Sequence, residues 1–227
     1  MSSIEEKWEL IHQAFLSLER LKYPFNQNAI PFNGIYVFFE KGELSHGHER
    51  IVRIGTHTGK DQLRSRLMQH LVKENKDRSI FRKNIGRALL NRDGDAKMLE
   101  MWNRDMTPKS ARESIKNFDI PAIKKVEERV SEYMRSHFSF AMIEVNGKAD
   151  RLLLESRLIF AISTCKECSN PSSNWLCNYS PIPKIWESSL WLVNELYKEL
   201  FSDSELEEFL NKYFSKWPYT YYSLYIV

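Results

Sequence analysis

Between Gly34 and His70 the hydrophobic period of the chain changes, and that change leaves little choice of fold. Gly34-Ile35-Tyr36-Val37-Phe38-Phe39 is a β-branched and aromatic run, Ile51-Val52-Arg53-Ile54 is a second, and the polar segment Glu40 to Glu49 lies between them. Runs of this composition on either side of a polar loop predict an antiparallel hairpin. After Gly55 the segment Thr56 to Lys60 reads as a loop, and Leu63, Leu67 and Leu71 then recur at four-residue steps, with Asp61 placed as an N-cap. Arg66 and His70 are also four apart, so they share another face of the same helix.

The rest of the chain supplies helices and one more strand. Ser3-Ile4-Glu5-Glu6 has the form of a capping box, and Ile4, Trp8, Ile11, Phe15 and Leu18 continue a helix that ends before Pro24. Tyr23 to Asn33 holds two prolines and reads as a linker, which makes residues 1–30 a helical extension. A helix from Asp77 to Leu90 carries Arg78, Arg82, Lys83 and Arg87 around Ile80, Phe81 and Ile85. Asn91 to Phe118 is a polar stretch with helical pieces, and Pro121 stands at the start of a helix running to Arg135, so about 91–136 forms a helical insertion. Phe138 to Val145 predicts a third strand, and Leu152 to Ser163 a helix apolar enough to be buried against the sheet. Ile185 to Leu200 is amphipathic, Ser202 caps a last helix to Phe214, and the tail from Tyr219 to Val227 has the composition of an edge strand. The expectation is an α+β fold: a small three-stranded sheet flanked by helices over residues 31–183, with helical extensions at 1–30 and 184–227.

Charge narrows the partners. The net charge is +3, but Lys60 to Arg92 holds ten Lys or Arg against three Asp or Glu, a local +7, so the remainder carries −4. Arg64, Lys73, Arg78, Arg82, Lys83 and Arg87 lie in that basic block, which suits either a solvated helix face or a phosphate backbone. No apolar run approaches the ~20 residues of a membrane span, the amino terminus is acidic where a signal peptide is basic, and three cysteines are too few for a disulfide framework. Those features predict a cytoplasmic protein with no membrane partner.

Several residues stand out chemically. Glu155 sits between Leu154 and Leu158 on the apolar helix, where a carboxylate is either exposed, paired with Arg151 or another arginine, or bound to a metal. Cys165-x-x-Cys168 is half of a zinc site or of a redox motif with no second half following it, His46-Gly47-His48 is half of a metal ligand set, and Cys177 stands apart from the pair. Tyr36, the Arg66 and His70 face and Glu155 together form one useful set. Phosphodiester hydrolysis needs an activated water, positive charge at the phosphorus, and a stabilised leaving oxygen, usually through a divalent metal on a carboxylate.

In that order the residues resemble the GIY-YIG nuclease superfamily. Gly34-Ile35-Tyr36 reproduces the first signature, Arg53-Ile54-Gly55 stands where the second is expected, and Arg66 with His70 resembles the catalytic helix. Glu155 after a third strand resembles the metal-binding glutamate, and Asn174, preferred to Asn178, the late asparagine. The resemblance implies a three-stranded antiparallel sheet and a metal-dependent DNA endonuclease of a restriction or repair type. Its alternative is a nucleic-acid-binding module that has lost cleavage, and a helical interaction protein without nucleic acid is the third reading. It further implies that Tyr36 acts on the attacking water, although a phenol of pKa ~10 needs positive charge nearby. Arg66, with Arg64 as the other register, would meet the phosphate, His70 would assist proton transfer or orient the phosphate, and Glu155 would hold one Mg²⁺ or Mn²⁺. The second tyrosine is replaced by Arg53, so Arg53 or His57 would take over its task.

Overall fold

The strand-forming runs around Tyr36 pair as the sequence predicts, and the computed structural model, which describes residues 3–107, 119–196 and 198–214, adds a strand to them. β1 (Leu21–Lys22), β2 (Gly34–Ser45), β3 (His48–Gly55) and β4 (Phe138–Glu144) form one antiparallel sheet in the order β1-β4-β2-β3. Among the described residues the sheet therefore has four strands and not three. β1 is only two residues long and pairs Leu21 with Phe140 and Lys22 with Ser139, too short to show an alternating pattern.

The hairpin is longer than its composition suggests. Ser45 pairs with His48, leaving His46-Gly47 as a two-residue turn in which both residues have positive φ, 51° and 73°. Such turns match the twist of the flanking strands, so residues that read as a polar loop continue the ribbon beyond the sheet.

Among the described residues the helices are α1 (Ile4–Leu16), α2 (Leu63–Leu71), α3 (Ile80–Arg92), α4 (Ala96–Asn103), α5 (Ile120–His137), α6 (Lys148–Thr164), α7 (Pro183–Glu187) and α8 (Asp203–Tyr213). Capping boxes at Ser3 and Ser202 start α1 and α8, as read from sequence. Asp61 caps nothing. It has φ 56°, exchanges two hydrogen bonds with Asn33 at 2.7 and 2.8 Å, and so ties the loop after β3 to the start of β2. The amphipathic stretch from Ile185 is helical only to Glu187, and Trp191 beyond it donates its N–H to the Val52 carbonyl at 2.8 Å, covering the edge of β3. α6 is less buried than its apolar sequence implies, with Leu152 and Leu153 39% and 53% exposed. The 219–227 tail lies outside the described residues.

Alternation in β2 builds two cores. Ile35, Val37 and Phe39 face one with Ile11, Phe15, Leu158, Ile162, Leu206 and Phe209, so α1 and α8 share the packing of the sheet and α6. Tyr36 and Phe38 face the other with Leu67, Phe81, Ile85, Val130 and Trp191. At the far end of β2 the buried Glu40 carboxyl accepts from Tyr133 Oη, from Trp175 Nε1 at 2.7 Å and from Trp191 Nε1 at 2.9 Å. Burial pushes its pKa from the ordinary 4.5 to about 7, against the pull of those donors.

The folded state thus holds this proton more tightly than the unfolded chain. The contribution is intact below pH 4.5 and declines as pH rises towards 7. Glu40→Gln keeps an acceptor for both tryptophans and removes the titration, so its stability relative to the parent should rise between pH 5 and pH 8. The expected gain is up to about 3 kcal/mol, read from urea unfolding at the two pH values.

Candidate active site

The buried face of β2 and the inner face of α2 meet at Tyr36. Its hydroxyl lies 2.8 Å from His70 Nε2, and His70 Nδ1 lies 2.7 Å from the hydroxyl of Ser79, the N-cap of α3. His70 is completely buried, with Phe38 and Phe81 edge-on to its ring. Burial, with Arg66, Arg53 and Arg82 nearby, holds its pKa well below the ordinary 6.5, so the imidazole is neutral. A neutral ring between two hydroxyls either accepts the Tyr36 proton at Nε2 or donates one to the Tyr36 oxygen. It stands behind Tyr36 and has no open path to a ligand.

Glycine is required opposite. Tyr36 pairs with Gly55 across the hairpin, and a Cβ at Gly55 would sit 2.3 Å from the Tyr36 Oη. The final glycine of Arg53-Ile54-Gly55 is therefore the space into which the tyrosine fits. Gly55→Ala should lower stability by about 1–3 kcal/mol, measured by urea unfolding, because the buried ring has nowhere to retreat.

Glu155 reaches this end of the sheet from α6. Its Oε1 accepts the Thr56 N–H at 2.9 Å, immediately after β3, while the Thr56 hydroxyl donates to the Gly34 carbonyl at 2.7 Å. Burial raises the Glu155 pKa, the Thr56 N–H and Arg53 oppose that, Glu195 adds to it and Arg66 opposes it. Glu155 is thus neither exposed nor paired with Arg151, whose guanidinium is spent on the Val145 and Asn146 carbonyls. Among the described residues Oε2 has no hydrogen-bond donor. A mostly buried carboxylate with one oxygen fixed and one open, its charge disfavoured by burial, fits a hard divalent cation, which would keep several waters beside a single protein oxygen.

Arg53 lies under the site. One Nη donates to the Trp191 carbonyl, the guanidinium stacks 4.7 Å from the Phe81 ring, and Nε has no hydrogen-bond partner among the described residues. Burial lowers its pKa, and Tyr36 and Glu155 are near enough to act against that. Arg66, partly exposed, donates to Gln69 Oε1 and to the Arg78 carbonyl. With Thr56, His57, Thr58, Gln62, Ser65 and Gln69 it lines an open cleft of about 320 Å³. His57 uses both ring nitrogens on the backbone: Nδ1–H donates to the Gly59 carbonyl at 2.7 Å and Nε2 accepts the Gly34 N–H at 3.4 Å.

The structure therefore brings together Tyr36, Arg53, Arg66, His70 and Glu155, with His57 on the cleft wall. Glu195, which no motif marks, lies near enough to Glu155 to raise its pKa further, and has a left-handed φ of 63°. Asn174 stays apart. It is exposed beside Trp175, whose indole binds Glu40 some 13 Å along the strand from Tyr36.

Of the basic block, Arg64 is partly exposed and Lys73 and Arg78 are exposed, close to Arg66 in sequence or contact. Lys83 pairs with Asp77 at 3.2 Å, and Arg87 binds Asn103 and Asn84. Arg82 corrects the expectation of a solvated basic face. It is fully buried and clamps Glu127, so it has no surface to offer a polyanion.

A family model described as a GIY-YIG domain matches residues 7–217. No curated protein and no solved structure matches the chain. No helix among the described residues is long and apolar enough to cross a membrane.

Proposed function

The chain belongs to the GIY-YIG domain family, which carries nuclease-type activity, and from that premise we propose that it is a divalent-metal-dependent DNA endonuclease. The observation that carries the reading is the meeting of Tyr36, Arg66 and Glu155 from three separate elements at one end of the sheet. Hydrolysis adds water to phosphorus and breaks the bond to the leaving oxygen, which must then be stabilised or protonated. Tyr36 orients the attacking water and takes its proton as its own phenolic proton moves to His70 Nε2, 2.8 Å away. His70 holds the Tyr36 oxygen in place and returns that proton once the water's proton has left for the leaving oxygen, so its role is exercised through Tyr36 and not on the phosphate.

Arg66 meets the scissile phosphate with its planar fork of donors. Arg53, in the place of a second tyrosine, supplies a buried positive charge close to Tyr36 and Glu155. We assign His57 to holding the loop after β3 in shape, since both its nitrogens are engaged. Glu155 is the residue that would hold one Mg²⁺ or Mn²⁺, which when bound supplies Lewis-acid stabilisation of the phosphate and leaving oxygens. Arg64, Lys73 and Arg78 form the rim available to flanking phosphates. A restriction or repair setting is consistent with this chemistry.

Purified protein incubated with supercoiled plasmid and Mg²⁺ or Mn²⁺ should nick or linearise it, and chelation by EDTA should stop the reaction. Strong, salt-sensitive DNA binding with no cutting under either metal would overturn the proposal in favour of a binding module.

A further inference from the structure

The second cluster of reactive side chains lies at the opposite end of the hairpin. His12 from α1, His46 from the β2–β3 turn, and Cys165 and Cys168 at the end of α6 bring one ligand atom each to within 4.8 Å of one another. His12 Nε2 is 3.2 Å from Cys168 Sγ and His46 Nε2 is 3.3 Å from Cys165 Sγ. Tetrahedral zinc with two sulfurs and two nitrogens has sulfur–nitrogen edges of about 3.5 Å, from Zn–S and Zn–N bonds of about 2.3 and 2.0 Å. We propose that these four side chains form a structural Zn²⁺ site.

Three further observations favour that occupant. Two thiolates cancel the charge of Zn²⁺, so the centre is neutral and suits its burial, with both cysteines and His12 almost inaccessible. The surroundings have the outer hydrogen bonds of a metal centre: His46 Nδ1 lies 2.5 Å from Glu9 Oε2, fixing which ring nitrogen faces the sulfurs, and the Ser45 hydroxyl lies 3.3 Å from Cys168 Sγ. The turn is also built to present the ligand. His46 accepts a left-handed φ of 51°, where asparagine or glycine is the usual choice, and its N–H is fixed by Glu167. His48, two residues on, is exposed and takes no part. A redox role for Cys165-x-x-Cys168 is disfavoured because neither sulfur is open to a partner thiol.

Each half-motif in the sequence thus finds its complement in another element. The ion would join α1, the hairpin tip and the end of α6, the helix that bears Glu155. It requires nothing of the cleavage site, and its test is read without DNA.

Protein purified in buffers free of chelator and added metal should contain one zinc per chain by mass spectrometry of the elements. The mercurial p-hydroxymercuribenzoate should release that zinc, detected with a chromogenic chelator. Cys177→Ser, which alters a buried thiol outside the cluster, should keep the zinc, and Cys165→Ser should lose it. Glu9→Gln, which leaves all four ligands in place, should bind zinc about 10–100-fold more weakly in a chelator competition. Absence of zinc with a Cys165–Cys168 disulfide, or with two free thiols that gain no thermal stability when Zn²⁺ is added, would overturn the proposal. So would retention of zinc in Cys165→Ser.

Discussion

Glu155→Gln is expected to reduce metal-dependent plasmid cleavage by about a thousandfold or more, equivalent to about 4 kcal/mol of transition-state stabilisation. The amide keeps an oxygen for the Thr56 N–H, so the junction of β3 and α6 is preserved. What is lost is the ionised oxygen for the cation. Stability should move the other way or not at all, because burial disfavours the Glu155 charge and the amide carries none. Single-turnover cleavage beside urea unfolding separates the two. A variant that cuts normally would remove Glu155 from the site, and one that loses stability and cutting together would make it a structural residue.

The largest effect on the fold should come from Arg82→Ala. Arg82 Nε and Nη2 donate to Glu127 Oε2 at 3.0 and 2.7 Å, and further bonds reach the Glu127 carbonyl, Ser131 Oγ and the His70 carbonyl. Truncation leaves the buried Glu127 with only the Lys76 N–H in place of a guanidinium, a loss of about 3–5 kcal/mol. Pairing Arg82→Met with Glu127→Leu should recover most of it, because neither charge is then buried alone. Unfolding midpoints for the single and double variants test this. Weaker DNA binding by Arg82→Ala with unchanged stability would contradict the structural role and return the residue to the basic surface.

Arg82 also shows where the sequence stops being readable. A run of arginines at helical spacing has the same one-dimensional form whether a given side chain faces water or a glutamate 45 positions away. The hairpin, the α2 face and the apolar α6 were readable because their signals are local: strand composition, a four-residue leucine period, a carboxylate among leucines. Failures occurred where distant partners decide. Asp61 looks like a cap until Asn33 captures it, and Ile185 onward looks helical until Trp191 is taken by the edge of β3. His46 is 119 positions from Cys165 and His12 is 156 from Cys168, so neither half-motif could reveal the whole.

The division of β2 into two faces has a consequence for how the protein tolerates change. Tyr36 and His70 are embedded in one core, while α6, which carries Glu155, rests on the other, and the Thr56 N–H that Glu155 accepts joins the two at the end of the sheet. Mutations in opposite cores that lie more than about 7–10 Å apart and share no partner should have stability costs that add. Their effects on turnover cannot add, since both halves must be present at the same phosphate. The sheet is a wall common to both cores, and selection on rate sees a coupling across it that the packing of either core alone does not reveal.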